Sequence, residues 1–301
     1  MTAERSELAS RILPQMTMGD GSPGSLSSPP PPFPRDQSPT ARAVERFSVQ
    51  GNAIVTGGGG DLGFAVSKAL LEHGVSGLMI FDLNTAEAEA KVKVLESDFP
   101  KATIKFLKVD ITDEEAVHSA VAETVKLLGG PVTTLLNFAG MVCCGHAVDW
   151  RAKDWDRVMK VNTVGPFFVA QAVAKVLIAE RMRGSIVLVA SVSAHRVNYP
   201  QPQVPYNVSK AGVKAMAKSL AAEWGHLGTR VNSISPGYMD TILNDGDGLE
   251  EARNTWASRH PMGRMGQPDE LSGVVVLLAS RAGSYINGSD LLVDGGQTLF
   301  M

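Results

Sequence analysis

Asn52-Ala53-Ile54-Val55-Thr56-Gly57-Gly58-Gly59-Gly60-Asp61-Leu62-Gly63 is the stretch on which the reading of this chain turns. A short apolar run passes directly into four glycines and then into an amphipathic segment. An unbroken apolar run of this length suits a strand buried on both faces. Glycines between such a strand and a helix let backbone amides approach a pyrophosphate, which the helix N-terminus then stabilises. A glycine-rich turn by itself is weak evidence. It gains weight when it sits at the head of an alternating series of strands and helices.

The rest of the chain is such a series. Helical patterns are predicted over residues 62–73, 85–97, 114–128 and 153–181, with another carrying Tyr206 to about residue 223. Short apolar runs at 77–81, 103–109, 133–137, 186–190, 230–233 and 291–293 complete a set of seven strands. Strands alternating with helices of ten or more residues require right-handed crossovers and a parallel sheet. The expected fold is therefore α/β: a single doubly wound Rossmann domain, its seven-stranded parallel sheet covered by helices on both faces. Ligands of such a sheet bind at the carboxyl ends of the strands. The domain is expected over residues 46–301, with a mobile insertion around 240–261 and no internal repeat.

Residues 1–45 are of another character. They carry Pro29-Pro30-Pro31-Pro32-Phe33-Pro34, several Ser and Gly, and no periodic apolar pattern. Such a segment cannot repay its ordering entropy and is expected to be a disordered tail. Its proline tract reads as a spacer or as a polyproline II ligand for an SH3-like or WW-like groove. Across all 301 residues, 44% are hydrophobic, 20% are charged, and the net charge is -3. No basic excess points to nucleic acid or to anionic membrane, and no run of eighteen apolar residues suggests a membrane span. The two cysteines, Cys143 and Cys144, are adjacent, which rules out a disulfide framework and fits a reducing compartment. No secretory h-region is visible, and Glu4 and Glu7 argue against a transit peptide, so the cytoplasm is expected.

Candidate site residues lie after the strands. Gly57, Gly60, Leu62 and Gly63 form the phosphate turn. Asp82, ending the second strand, is placed to bond the ribose hydroxyls of a dinucleotide and to repel a 2′-phosphate, favouring NAD over NADP. Asp110, after the third strand, can reach the adenine edge, and Asn137-Phe138-Ala139-Gly140 skirts the cofactor after the fourth. Between Ser185 and Lys210, a strand exits at Ser191, a Pro/Gln-rich loop comes next, and Tyr206 and Lys210 stand one helical turn apart. An ammonium beside a phenol lowers the phenol's pKa, which suits proton transfer near neutral pH. His146 and the cysteines lack the spacing of metal ligands, and no metal site is expected.

These residues together resemble the short-chain dehydrogenases/reductases from about residue 47 to the C-terminus. The resemblance rests on Thr56–Gly63, Asn137–Gly140, Tyr206 with Lys210, and Pro236-Gly237 followed by Thr241. Gly263-Arg264-Met265-Gly266-Gln267-Pro268 and Val293-Asp294-Gly295-Gly296 extend it. It implies a catalytic tetrad of Asn162, Ser191, Tyr206 and Lys210. Tyr206, Lys210, Pro236, Gly237 and Thr241 would contact the nicotinamide half of the cofactor, and Ser193, His195 and Tyr238 are candidates for the substrate. Two departures stand out: Asp61 replaces a family glycine and is expected to cap the first helix, and Phe138 replaces the second asparagine of Asn-Asn-Ala-Gly.

The loop Asn198-Tyr199-Pro200-Gln201-Pro202-Gln203 resembles the sugar-alcohol branch of that family, the D-arabinitol, mannitol and sorbose enzymes. The implied activity is an NAD-dependent interconversion of a polyol and its ketose, with NADP as possible cofactor. An NADPH-dependent carbonyl reductase of secondary metabolism and a non-catalytic nucleotide sensor remain as alternatives. The resemblance also implies a homodimer or homotetramer built from the long helix and the Tyr206 helix, on which Ala211, Gly212, Ala215, Ala217, Ala221 and Ala222 are small.

Overall fold

A computed structural model describes residues 12–244 and 246–299. Its helices are α1 Pro39–Phe47, α2 Asp61–Glu72, α3 Thr85–Asp98, α4 Glu114–Leu127, α5 Ala152–Met159, α6 Gly165–Ala179, α7 Val204–Trp224, α8 Glu250–Ser258 and α9 Ser272–Ala279. The strands are β1 Asn52–Thr56, β2 Gly77–Asp82, β3 Thr103–Lys108, β4 Val132–Asn137, β5 Gly184–Val189, β6 Thr229–Pro236 and β7 Asp290–Val293. All seven pair in parallel in the order β3-β2-β1-β4-β5-β6-β7. The order reverses between β1 and β4, which opens a crevice at their carboxyl ends.

Alternation along each strand divides the core between two faces. Ile54, Met79, Phe81, Leu135, Ile186 and Leu188 pack under α4, α6 and α7 through Val117, Val121, Val169, Val173, Val213 and Leu220. Ala53, Val55, Leu78, Ile80, Leu136 and Val187 meet α2, α3 and α9 through Val66, Leu70, Val92, Leu95, Val275 and Leu278. Neither face is left to solvent, so the strands read as solid apolar runs. Ala152–Ala179, with a mean hydropathy of 1.5, is long and apolar enough to cross a membrane, but half of its apolar window is buried inside the fold. Its packed residues Val169, Ala170, Val173 and Leu177 make it a core helix.

The expected single long helix is interrupted. Lys160–Val164 forms one π turn between α5 and α6, with Asn162 buried at its centre. The insertion around 240–261 holds α8, and α9 comes before β7. In the N-terminal segment, residues 1–11 lie outside the described residues. Beyond them, Ser38 caps α1 by accepting the Ala41 amide at 3.1 Å, so a helix crosses the boundary drawn at residue 45. The Phe33 ring carries the guanidinium of Arg281 at 3.7 Å and that of Arg46 at 5.5 Å. Arg183 donates to Ser28 Oγ at 2.8 Å, and Arg281 to the carbonyl of Pro31.

Candidate active site

The glycine turn explains itself sterically. Gly57 has φ +67°, and a Cβ there would stand 2.7 Å from the amide nitrogen of Ala139. A Cβ on Gly63 would stand 2.2 Å from the carbonyl oxygen of Gly57. The turn therefore closes onto both its own helix and the loop after β4. Helix α2 starts at Gly60 with no side chain capping it, which leaves first-turn amides for an anion. A cleft of about 340 Å³ runs from this turn past Asp82, Asp110, Ala139 and Gly140 to Thr241. A glycine cradle, an open helix N-terminus and a carboxylate at the end of β2 fit a dinucleotide.

Asp82 lines the cleft at the end of β2 and also braces the glycine turn. Its Oδ2 accepts the Gly59 amide at 2.9 Å and its Oδ1 accepts the Asn84 amide at 3.0 Å. Asp110 accepts the Thr112 amide at 2.9 Å while lining the cleft. Asn137 is placed differently from the expectation of a cofactor contact: it is 2% exposed and turned inward. It accepts from Thr56 Oγ1 at 3.0 Å and donates to the Pro166 carbonyl at 3.0 Å. Thr56 in turn accepts the Ala139 amide at 3.0 Å. These two buried side chains position the loop that walls the cleft.

Asp61 does not cap its own helix. It accepts from Lys91 at 3.0 Å and from the Ile242 amide at 3.1 Å. The Ile242 bond, aided by Lys91, holds its carboxyl below the usual value. Lys91 supplies the positive charge that makes a carboxylate tolerable beside a pyrophosphate turn.

Beyond the cleft, a cavity of about 400 Å³ collects Ser191, Ser193, Tyr206, Lys210, Pro236, Gly237, Tyr238 and Thr241. Ser191 Oγ donates to Ser193 Oγ at 3.0 Å and accepts the Ser193 amide at 3.1 Å, and it faces the cavity beside Tyr206. Burial pushes the Tyr206 phenol up, and the Ser191 hydroxyl pulls it part of the way back. Lys210 is 5% exposed and donates to the Val189 carbonyl at 2.7 Å, and burial brings its ammonium down to about 8. Its Nζ lies 5.6 Å from the centroid of the Tyr206 ring. The sequence expectation that Lys210 would lower the tyrosine is thus outweighed here by desolvation of the phenol.

The π turn serves Asn162, as such turns often do at functional positions. Its side chain accepts the Met141 amide at 2.8 Å and donates to the Met141 carbonyl at 2.9 Å and to Ser209 Oγ at 3.0 Å. It ties the loop after β4 to the helix that carries Tyr206 and Lys210. The structure does not bring His195 to the cavity. Its ring bonds Asp290 at 2.7 Å and Ser235 at 3.2 Å, with Lys214 at 3.1 Å on the other nitrogen. This is the anchor of a loop. Gln203, Asn198, Gln201, Cys144 and Trp256 also line the cavity. Trp256 comes from α8, within an insertion whose sequence carries no motif.

The family model described as Enoyl-(Acyl carrier protein) reductase matches residues 60–298. D-arabinitol 2-dehydrogenase [ribulose-forming] of Candida tropicalis is 39% identical over 267 residues, covering 84% of this chain and 94% of its own length. NADH-dependent L-xylulose reductase of Ambrosiozyma monospora is 40% identical over 271 residues, covering 85% and 98%. A crystal structure of a gluconate 5-dehydrogenase from Burkholderia cenocepacia with NADP and tartrate superposes with a TM-score of 0.77 at 31% identity, covering 86% and 100%. The chain belongs to the short-chain dehydrogenase/reductase family, whose members are NAD(P)-dependent oxidoreductases acting on alcohol groups.

Proposed function

We propose that this enzyme interconverts a sugar alcohol and its ketose, of the D-arabinitol and ribulose kind, with NAD as preferred cofactor. The observation that carries the substrate class is the cavity wall. Amide side chains of Asn198, Gln201 and Gln203 and the hydroxyls of Ser193 and Tyr238 surround the Ser191–Tyr206 pair. They stand among apolar lining residues such as Met141, Val142 and Leu249, and their remaining donor and acceptor positions suit hydroxyls on a carbon chain. The names of the D-arabinitol and xylulose relatives support the same reading.

Gly57, Gly60, Leu62 and Gly63 would hold the pyrophosphate, Asp82 and Asp110 the adenosine, and Lys210, Pro236, Gly237 and Thr241 the nicotinamide half. The bound nicotinamide supplies the hydride acceptor or donor. Tyr206 takes the alcohol proton in oxidation and returns it to the carbonyl in reduction. Ser191 holds the reacting oxygen. Lys210 provides the positive charge beside Tyr206, and Asn162 fixes the junction between their helix and the β4 loop.

A panel of C5 and C6 polyols and ketoses, read by NADH absorbance, tests the substrate class. Turnover confined to apolar ketones such as a decalone, with NADPH, would establish the carbonyl reductase alternative instead. Cofactor choice has its own test. In Asp82→Ser the repulsion of a 2′-phosphate is gone, and kcat/KM with NADPH relative to NADH is expected to rise roughly tenfold to a hundredfold. An unchanged ratio removes Asp82 from cofactor selection.

A homodimer or homotetramer is part of the proposal. Val164, Val204, Val208, Ala211, Ala215 and Ala222 are exposed or half-buried along the π turn and α7, while Ala217 and Ala221 belong to the core. Light scattering of the eluting protein tests it. The two free thiols fit the cytoplasm, where the enzyme is placed in this reading.

A further inference from the structure

We infer that the Tyr238 hydroxyl, held in place by Asn198 and Gln201, is a subsite donor to one non-reacting hydroxyl oxygen of the substrate. The inference rests on the polyol reading and specifies how it is achieved. Its starting point is an indole. Trp256 Nε1 can only donate, and it donates to Gln201 Oε1 at 3.2 Å. The Gln201 amide orientation is thereby settled, and its NH2 must be the group that faces Tyr238, donating to the phenol oxygen at 2.8 Å. Asn198 Nδ2 donates to the same oxygen at 2.9 Å. A phenol oxygen offers two acceptor positions and one proton. Both acceptor positions are filled, so the Tyr238 hydroxyl presents its proton alone.

The ring is fixed as firmly as its oxygen. Tyr238 stacks on Trp256 with centroids 4.3 Å apart and planes 9° apart. Asn198 and Tyr238 line the same cavity as Tyr206 and Ser191. One donor directed into the cavity is the complement of a substrate oxygen. A hydroxyl oxygen answers it, and a methylene in its place leaves the donor unmatched.

The test uses wild-type enzyme, Tyr238→Phe and Asn198→Ala, with D-arabinitol, its monodeoxy analogues and 2-pentanol. In the wild type, KM for one of the monodeoxy analogues should exceed that for D-arabinitol roughly tenfold to a hundredfold. In Tyr238→Phe, which keeps the stack on Trp256, this gap should close to below about threefold, with kcat changing less than KM. Asn198→Ala should close it for the same analogue. A gap that persists in Tyr238→Phe, or no gap with any analogue, overturns the subsite while leaving polyol turnover standing. Turnover of 2-pentanol with none of any polyol overturns the polyol reading and the subsite together.

Discussion

Tyr206→Phe is expected to lower kcat in both directions by roughly two to four orders of magnitude while leaving NADH binding, followed by fluorescence, within about twofold. The substitution removes a single oxygen from a partly buried ring at the cavity wall and leaves the packing of α7 as it is. The same phenol predicts an asymmetric pH dependence. Burial holds it above the ordinary tyrosine value, so at neutral pH it carries its proton. Reduction needs that proton and is served already at pH 7. Oxidation needs the phenolate, whose population climbs about tenfold per pH unit below the pKa. Initial rates of polyol oxidation should therefore rise from pH 7 to 9 while ketose reduction does not. An oxidation optimum near pH 6, or turnover surviving in Tyr206→Phe, would exclude Tyr206 as the proton-transfer group.

Lys210→Met should remove activity and make the cofactor-free protein more stable. Burial lowers the Lys210 ammonium from 10.5 to about 8, so the folded state binds this proton less tightly than the unfolded state does. Below pH 8 the cost to folding is about 3 kcal/mol. Methionine fills a similar volume without the charge, although the Val189 carbonyl then loses a 2.7 Å donor, a loss of about 2 kcal/mol. A net gain of about 1 kcal/mol is expected at pH 7, read from urea melts of both proteins. Between pH 8 and 10.5 the unfolded state holds more protons at this position, so wild-type stability rises with pH and the variant's advantage disappears. A variant less stable than wild type at pH 7 would mean that the ammonium is compensated in the fold. Such a trade of stability against activity is common where a charge is held in an enclosed site.

The alternating strands could be read from sequence because a sheet covered on both faces demands uninterrupted apolar runs, and Asn52–Thr56 in β1 meets that demand without ambiguity. Tyr206 and Lys210 were legible for a similar reason: helical spacing alone places them on one face. Side chains whose partners are distant in sequence were not. Asn137 looks like a cofactor contact until Thr56 and Pro166 are seen to occupy it. His195 sits two residues from Ser193, yet Asp290, nearly a hundred positions away, decides where its ring points. Trp256 lies in a segment with weak periodicity, and α8 and α9 escaped prediction because both helices are short. The π turn at Asn162 adds one residue to a helical turn, which the apolar pattern on either side does not reveal.

Asp61 gives the molecule a property that no single site possesses. Its backbone begins the helix whose amides would face the pyrophosphate, and its carboxylate holds the Ile242 amide at the start of the segment that brings Trp256 over the cavity. Through this bond, the turn that walls the cleft and the segment that walls the cavity share one mechanical element. A ligand of the cleft that steadied this segment would, by linkage, bind more tightly by the same factor that it improved binding in the cavity. Any such coupling would run through a residue that departs from the family's glycine.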